Sequence, residues 1–118
     1  MKRDLETIRS ILLKAEASSE AFRCESPEEI YNAALLSDAR LIEARFAPPT
    51  MPTAAMILRL TWQGHDFLDA SRDETIWNTA KQKFLKPGIS WTFSILLDFL
   101  KAEAQRQLGA ALGVPPAR

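Results

Sequence analysis

Two runs rich in branched and aromatic residues, LIEARFA at 41–47 and AMILRL at 55–60, flank a segment reading APPTMPT. Proline has no N–H to give to a ladder, so three prolines in seven residues cannot lie inside a paired strand. The runs therefore predict two antiparallel strands joined by a long loop, a hairpin that the rest of the chain has to cover. Period-two alternation in the second run assigns Met56, Leu58 and Leu60 to one face.

What surrounds the hairpin reads as helix. Leu5, Ile8, Ile11, Leu12 and Ala15 recur at helical spacing, which predicts a helix over 4–17. Ser26-Pro27-Glu28-Glu29 combines a capping serine, a proline at the first helical position and the glutamate of a capping box, so a second helix runs from there to about Ala39. The link between them leaves room for a brief strand around Phe22. Thr61 offers an N-cap for a helix from Trp62 to about Ser71, and Asp73 or Ser71 caps a continuation with Ile76, Trp77, Ala80 and Phe84 on one side. Lys86-Pro87-Gly88 stops it, Ser90 begins the last helix, and the residues after Gly109 are expected to fray. One domain over 1–110 and a flexible tail over 111–118 follow.

Fifteen basic and fifteen acidic residues cancel, and neither sign collects in one part of the chain. Nonspecific nucleic-acid binders draw most of their affinity from a basic excess that this chain lacks. Cys24 has no second cysteine to pair with, so its expected role is a small, partly buried apolar side chain. The opening Met1-Lys2-Arg3 is followed by Asp4 and a charged amphipathic segment, not by the apolar core of a signal peptide, and no stretch of about 18 uncharged apolar residues exists. The expected setting is the cytoplasm, with no membrane contact.

Helix, short link, helix, hairpin and further helix is the order of a winged-helix domain, so the fold class is α+β and winged-helix-like. The architecture is mostly helical, with a two-stranded antiparallel wing and extra C-terminal helices. In such domains the turn after the recognition helix often carries glycine in a left-handed conformation. Here Ala39-Arg40-Leu41-Ile42 occupies that place, so either the turn differs or Arg40 accepts the strain. Met1-Lys2-Arg3-Asp4, the segment YNAALLSDARLIE and above all LTWQGHDFLDASRDETIWNTAKQKF resemble a prophage-associated domain family. Its hallmark is leucine-threonine-tryptophan-x-glycine-histidine-aspartate-phenylalanine-leucine-aspartate, followed by a tryptophan-asparagine helix. Leu60 to Asp69 match it at every fixed position, as do Trp77 and Asn78. The resemblance implies a bacterial or phage protein with winged-helix character and no established activity.

Candidate site residues divide by the chemistry they would serve. His65 is the one side chain that titrates near neutral pH, and Asp69 lies one turn further along to receive it. Catalysis would need a converging nucleophile, so the preferred roles are structural: Thr61 caps, Trp62 and Trp77 anchor the core, Gly64 lets the wing strand approach, and Asp69 fixes the His65 imidazole. One histidine, one cysteine and scattered carboxylates predict no metal site, and four separate glycines predict no phosphate loop, so neither catalytic residues nor cofactors are expected. If DNA is bound, Asn32 would read an adenine edge while Arg40, Arg45 and Arg59 reach phosphates or a minor groove. For Arg45 and Arg59 the simpler alternative is cross-strand pairing with Glu43. From Ile89 to Leu100 the last helix is apolar nearly all round, which suggests a partner or homodimer contact through Trp91, Ile95 and Phe99, or else full enclosure within the monomer. The reading is a non-enzymatic phage or prophage accessory protein that binds a phage or host protein. Its alternative is a sequence-specific DNA-binding regulator.

Overall fold

Asp4 starts the first helix, α1 (Leu5–Ala17), by accepting hydrogen bonds from the Glu6 and Thr7 N–H groups, which otherwise have no partner in a first turn. Ser26 does the same for α2 (Pro27–Asp38) at the Glu29 N–H, with Pro27 preset for the first turn. These belong to the computed structural model of the chain, which describes residues 3–86 and 91–112. Its contacts form two compact units, Met1–Leu68 and Asp69–Arg118.

The first unit sets α1 and α2 against a three-stranded antiparallel sheet: β1 (Phe22–Cys24), β2 (Ile42–Ala47) and β3 (Ala54–Leu60), in the order β1-β3-β2. The expected two-stranded wing thus gains a third strand, because Phe22, Arg23 and Cys24 pair with Ile57, Met56 and Ala55. Leu5, Ile8 and Leu12 of α1, Ala33 and Leu36 of α2, and Cys24, Ala55 and Ile57 of the sheet are buried. Asn32 joins them at 0% exposure. Its side chain accepts from the Asp4 N–H at 3.0 Å and donates to the Glu28 carbonyl at 2.8 Å, tying the start of α1 to α2. An amide with both ends engaged and no exposed surface presents no edge to a base, which removes Asn32 from any DNA-reading role.

Alternation along β3 is not the one the sequence suggested. Ile42 faces Leu60 and Glu43 faces Arg59, but Ala44 faces Ile57, so Leu58 is an extra residue in a β-bulge. The bulge moves the buried set to Ala55, Ile57 and Leu60, while Met56 and Leu58 are exposed. Without it Leu60 would lie on the same side as Met56 and could not be buried beside Ile42.

The helix after β3, α3 (Trp62–Ala70), starts in the first unit. The second unit is built from α4 (Glu74–Phe84), capped by Asp73 through the Ile76 N–H, and α5 (Phe93–Leu112). Phe84 of α4 meets Phe99 of α5 edge-on, with ring centres 5.3 Å apart, and meets Trp91 at 6.4 Å. Thr92 caps α5: its hydroxyl accepts from the Ile95 N–H and its carbonyl from the Leu96 N–H. The expected stop at Pro87-Gly88, the Ser90 helix start and residues 113–118 of the tail lie outside the described residues. Ala111 and Leu112 are still helical. No helix of the described residues is long and apolar enough to cross a membrane.

Asn32→Ala leaves the Asp4 N–H and the Glu28 carbonyl without their buried partner. The expected cost is about 2 kcal/mol, read as a lower urea midpoint at unchanged slope.

Candidate functional site

The residue that follows α2 decides what lies beside it. Ala39 closes the helix, and Arg40 takes φ 63, the left-handed conformation that side chains avoid. The Arg40 N–H then donates to the Ser37 carbonyl and the Leu41 N–H to the Leu36 carbonyl. This is the paired closure of a Schellman motif, with Leu36 and Leu41 both buried beneath it. Of the two alternatives at this turn, Arg40 accepts the strain. Its exposed guanidinium has no hydrogen bond or ion pair among the described residues.

Thr61 fastens that turn to α3. Its hydroxyl donates to the Arg40 carbonyl at 2.6 Å and accepts from the Gly64 N–H at 3.0 Å, while its own N–H donates to the Leu41 carbonyl at 3.0 Å. Gly64 lies so close that a Cβ built there would fall on the Leu41 carbonyl oxygen. The first turn of α3 is thereby held at a fixed place beside Arg40, and Trp62 stands in it.

Trp62 is 84% exposed, so the expectation of a core anchor fails for this residue. Gly64, Phe67, Leu68 and Ser71 are buried at positions i, i+3, i+4 and i+7, a stripe that puts Trp62 on the opposite side of the helix. That signal was present in the sequence, but the residue type outweighed it. Trp77, by contrast, is fully buried.

His65 is exposed, and no hydrogen bond joins it to Asp69 among the described residues. Asp69 instead accepts from Arg72 at 2.8 Å. Among the described residues the imidazole therefore has neither an orienting carboxylate nor a converging nucleophile. No group of three His, Cys, Asp or Glu side chains is placed to hold a metal ion among the described residues. Burial pushes the Cys24 thiol up, and the Glu29 carboxylate adds to this, which keeps it a protonated, unreactive core side chain.

The remaining cations separate. Arg59 forms a two-pronged pair with Glu43 at 2.7 and 2.9 Å and also donates to the Leu60 carbonyl. Arg45 faces Met56 across the outer side of the sheet, with Arg23 on Met56's other flank, and has no ion partner among the described residues. In the second unit, Trp91 is buried and Phe99 is half-buried under the Lys83 ammonium at 5.4 Å, so of the three expected partner contacts only Ile95 is open. Ser94, Asp98, Lys101 and Gln105 are exposed at helical spacing, so α5 has the polar face that its sequence seemed to lack.

A feature that sequence reasoning missed is a groove of about 410 Å³ between α2 and the hairpin loop. Pro27, Ile30, Tyr31 and Ala34 of α2 form one wall, Pro52 and Thr53 the other, and Glu25 also lines it. The spacing i, i+3, i+4, i+7 was legible, but nothing in it told that the loop would rise opposite and leave a space between.

Comparison with known proteins adds no chemistry. The model of a family described as hypothetical protein DUF2513 matches residues 2–90. A Haemophilus influenzae Rd protein described as uncharacterized is 37% identical over 114 residues, covering 89% of this chain and 93% of its own. No solved structure matches.

Two substitutions at this corner have opposite expected signs. Gly64→Ala forces the Leu41 carbonyl aside and costs about 3 kcal/mol. Arg40→Gly relieves the left-handed strain and gains about 1 kcal/mol, a melting rise of roughly 4 °C in calorimetry. His65→Ala, at an exposed site without side-chain partners among the described residues, is expected to change stability by less than about 0.5 kcal/mol.

Proposed function

We propose that this chain, which belongs to the DUF2513 family, is a non-enzymatic protein-binding module, a phage or prophage accessory protein on a winged-helix-like scaffold, with Trp62 as its anchor. The scaffold reading is supported by the order helix, strand, helix, hairpin and by the sheet order β1-β3-β2. The phage setting rests on the resemblance carried by Leu60 to Asp69.

The observation that carries protein over nucleic acid is the charge of α2. The helix in the recognition position brings Glu28, Glu29 and Asp38 and has no lysine or arginine from Pro27 to Asp38. Phosphate contacts supply most of the affinity for a duplex, and three carboxylates there oppose them. A tryptophan held open on a fixed turn is the residue type that dominates protein interfaces, and burying it removes about 150–250 Å² of surface from water. Arg40, whose carbonyl Thr61 holds at this turn and whose guanidinium has no partner among the described residues, adds a bidentate donor for a carboxylate. The DNA-binding regulator remains as a second reading on one observation, that Arg40 and Arg45 are both exposed and without ion partners among the described residues.

A photo-reactive phenylalanine analogue at Gln63, next to the anchor, tests this in the native host. The expected result is a discrete protein adduct that survives nuclease treatment and is lost with Trp62→Ala, whose cost of about 2 kcal/mol weakens binding about 30-fold. A gel shift on the DNA upstream of the protein's own gene, abolished by Arg40→Ala with Arg45→Ala, would instead establish the regulator.

A further inference from the structure

The molecule leaves two uncovered surfaces in its first unit, and each has what the other lacks. One is the Trp62 corner: an indole open over most of its surface, next in sequence to the Thr61 that holds the Arg40 carbonyl, with an Arg40 guanidinium that has no carboxylate among the described residues. The other is the groove between α2 and the hairpin loop. Its volume of about 410 Å³ lies within the range of pockets that enclose small ligands, and its walls are the side chains of Ile30, Tyr31, Ala34 and two prolines. One carboxylate is among the residues that line it. Glu25 lines it, held by an exposed Arg23 pair of the kind worth about 0–1 kcal/mol, and Glu28 follows Pro27 on the exposed side of the helix.

Resting on the protein-binding reading of Trp62, we infer that the partner of this corner is a second copy of the chain. The indole of one copy enters the groove of the other, between Tyr31 and Pro52, and Arg40 meets Glu25 of its lining. Within one chain Trp62 is open to solvent, so it does not fill its own groove and the contact forms between copies. Charge favours this pairing over a polyanion. Asp38 stands two residues before Arg40 and Glu43 is neutralised by Arg59, so the corner offers a run of phosphates a single free guanidinium, which suits one carboxylate. A net charge of zero leaves no long-range repulsion between copies. Because the contact joins two different surfaces, it closes as a reciprocal pair or propagates head to tail.

Analytical ultracentrifugation of the full chain, from micromolar to submillimolar protein, tests the inference. The wild-type mass is expected to rise from 13.2 kDa to at least twice that value. Trp62→Ala removes the indole and Ala34→Arg fills the groove, so each variant alone stays at the single-chain mass. Mixing the two restores association, since one supplies an intact groove and the other an intact indole. Circular dichroism and melting curves matching wild type show that both variants fold. A wild type that keeps the single-chain mass throughout, association that survives either substitution, or a mixture that stays monomeric overturns the inference. If self-association is absent while the Gln63 crosslink still traps a different protein, the protein-binding reading stands and only the second copy is lost. If neither is seen, both fail.

Discussion

Three segments of the first unit meet at one threonine. Thr61 ends a strand, caps a helix and clasps the turn after α2, through three hydrogen bonds to Arg40, Leu41 and Gly64. Any one of these is worth about 1 kcal/mol. Their combined effect is geometric: they remove the freedom of three segments at a single point. Gly64 makes the arrangement tight, because only a residue without a side chain lets α3 rest on the Leu41 carbonyl. The backbone at the exposed Trp62 is held in place for that reason, and an anchor on a fixed backbone loses less entropy when it binds.

The same knot explains how the hairpin presents its two faces. A ladder of strict alternation would have given β3 a single apolar face of Met56, Leu58 and Leu60. The bulge at Leu58 instead shifts the phase, so that Ile57 and Leu60 both face inward, Leu60 opposite Ile42. The outward residues become Arg23, Met56 and Arg45 in a row, followed by the Glu43–Arg59 pair. A bulge costs ladder regularity and raises local twist, and its effect here is to let β3 end with Leu60 buried and Thr61 in reach of the α2 turn.

Much of this was legible in residues whose backbone role is unambiguous. Asp4, Ser26-Pro27, Asp73 and the proline-rich loop each state where an element begins or ends, because capping and the missing proline N–H are local effects. What was not legible depended on a neighbour. Asn32 looked like a base-reading amide until the Asp4 N–H was found against it. The His65–Asp69 pair was plausible by spacing, but Arg72 takes the carboxylate. The brief strand expected around Phe22 had no partner in the sequence, and it finds one because β3 offers an unpaired edge. Trp62 is the instructive failure: its wheel position indicated exposure, and the general preference of tryptophan for cores argued the other way.

Two costs fall at the same corner, and they share a cause. Arg40 holds a conformation that glycine would take without strain, and Trp62 leaves in water an apolar surface that burial would stabilise by a few kcal/mol. Neither cost is required by the fold. A glycine at 40 would close the same Schellman turn, and a polar residue at 62 would follow the same cap. Local rules broken without a structural return are expected where a surface does something for the molecule beyond holding it together. Here the two broken rules stand on either side of one hydroxyl. An open indole and an arginine on one turn are complementary to an apolar recess with a carboxylate in its lining, which is what α2 and the loop enclose on the same unit.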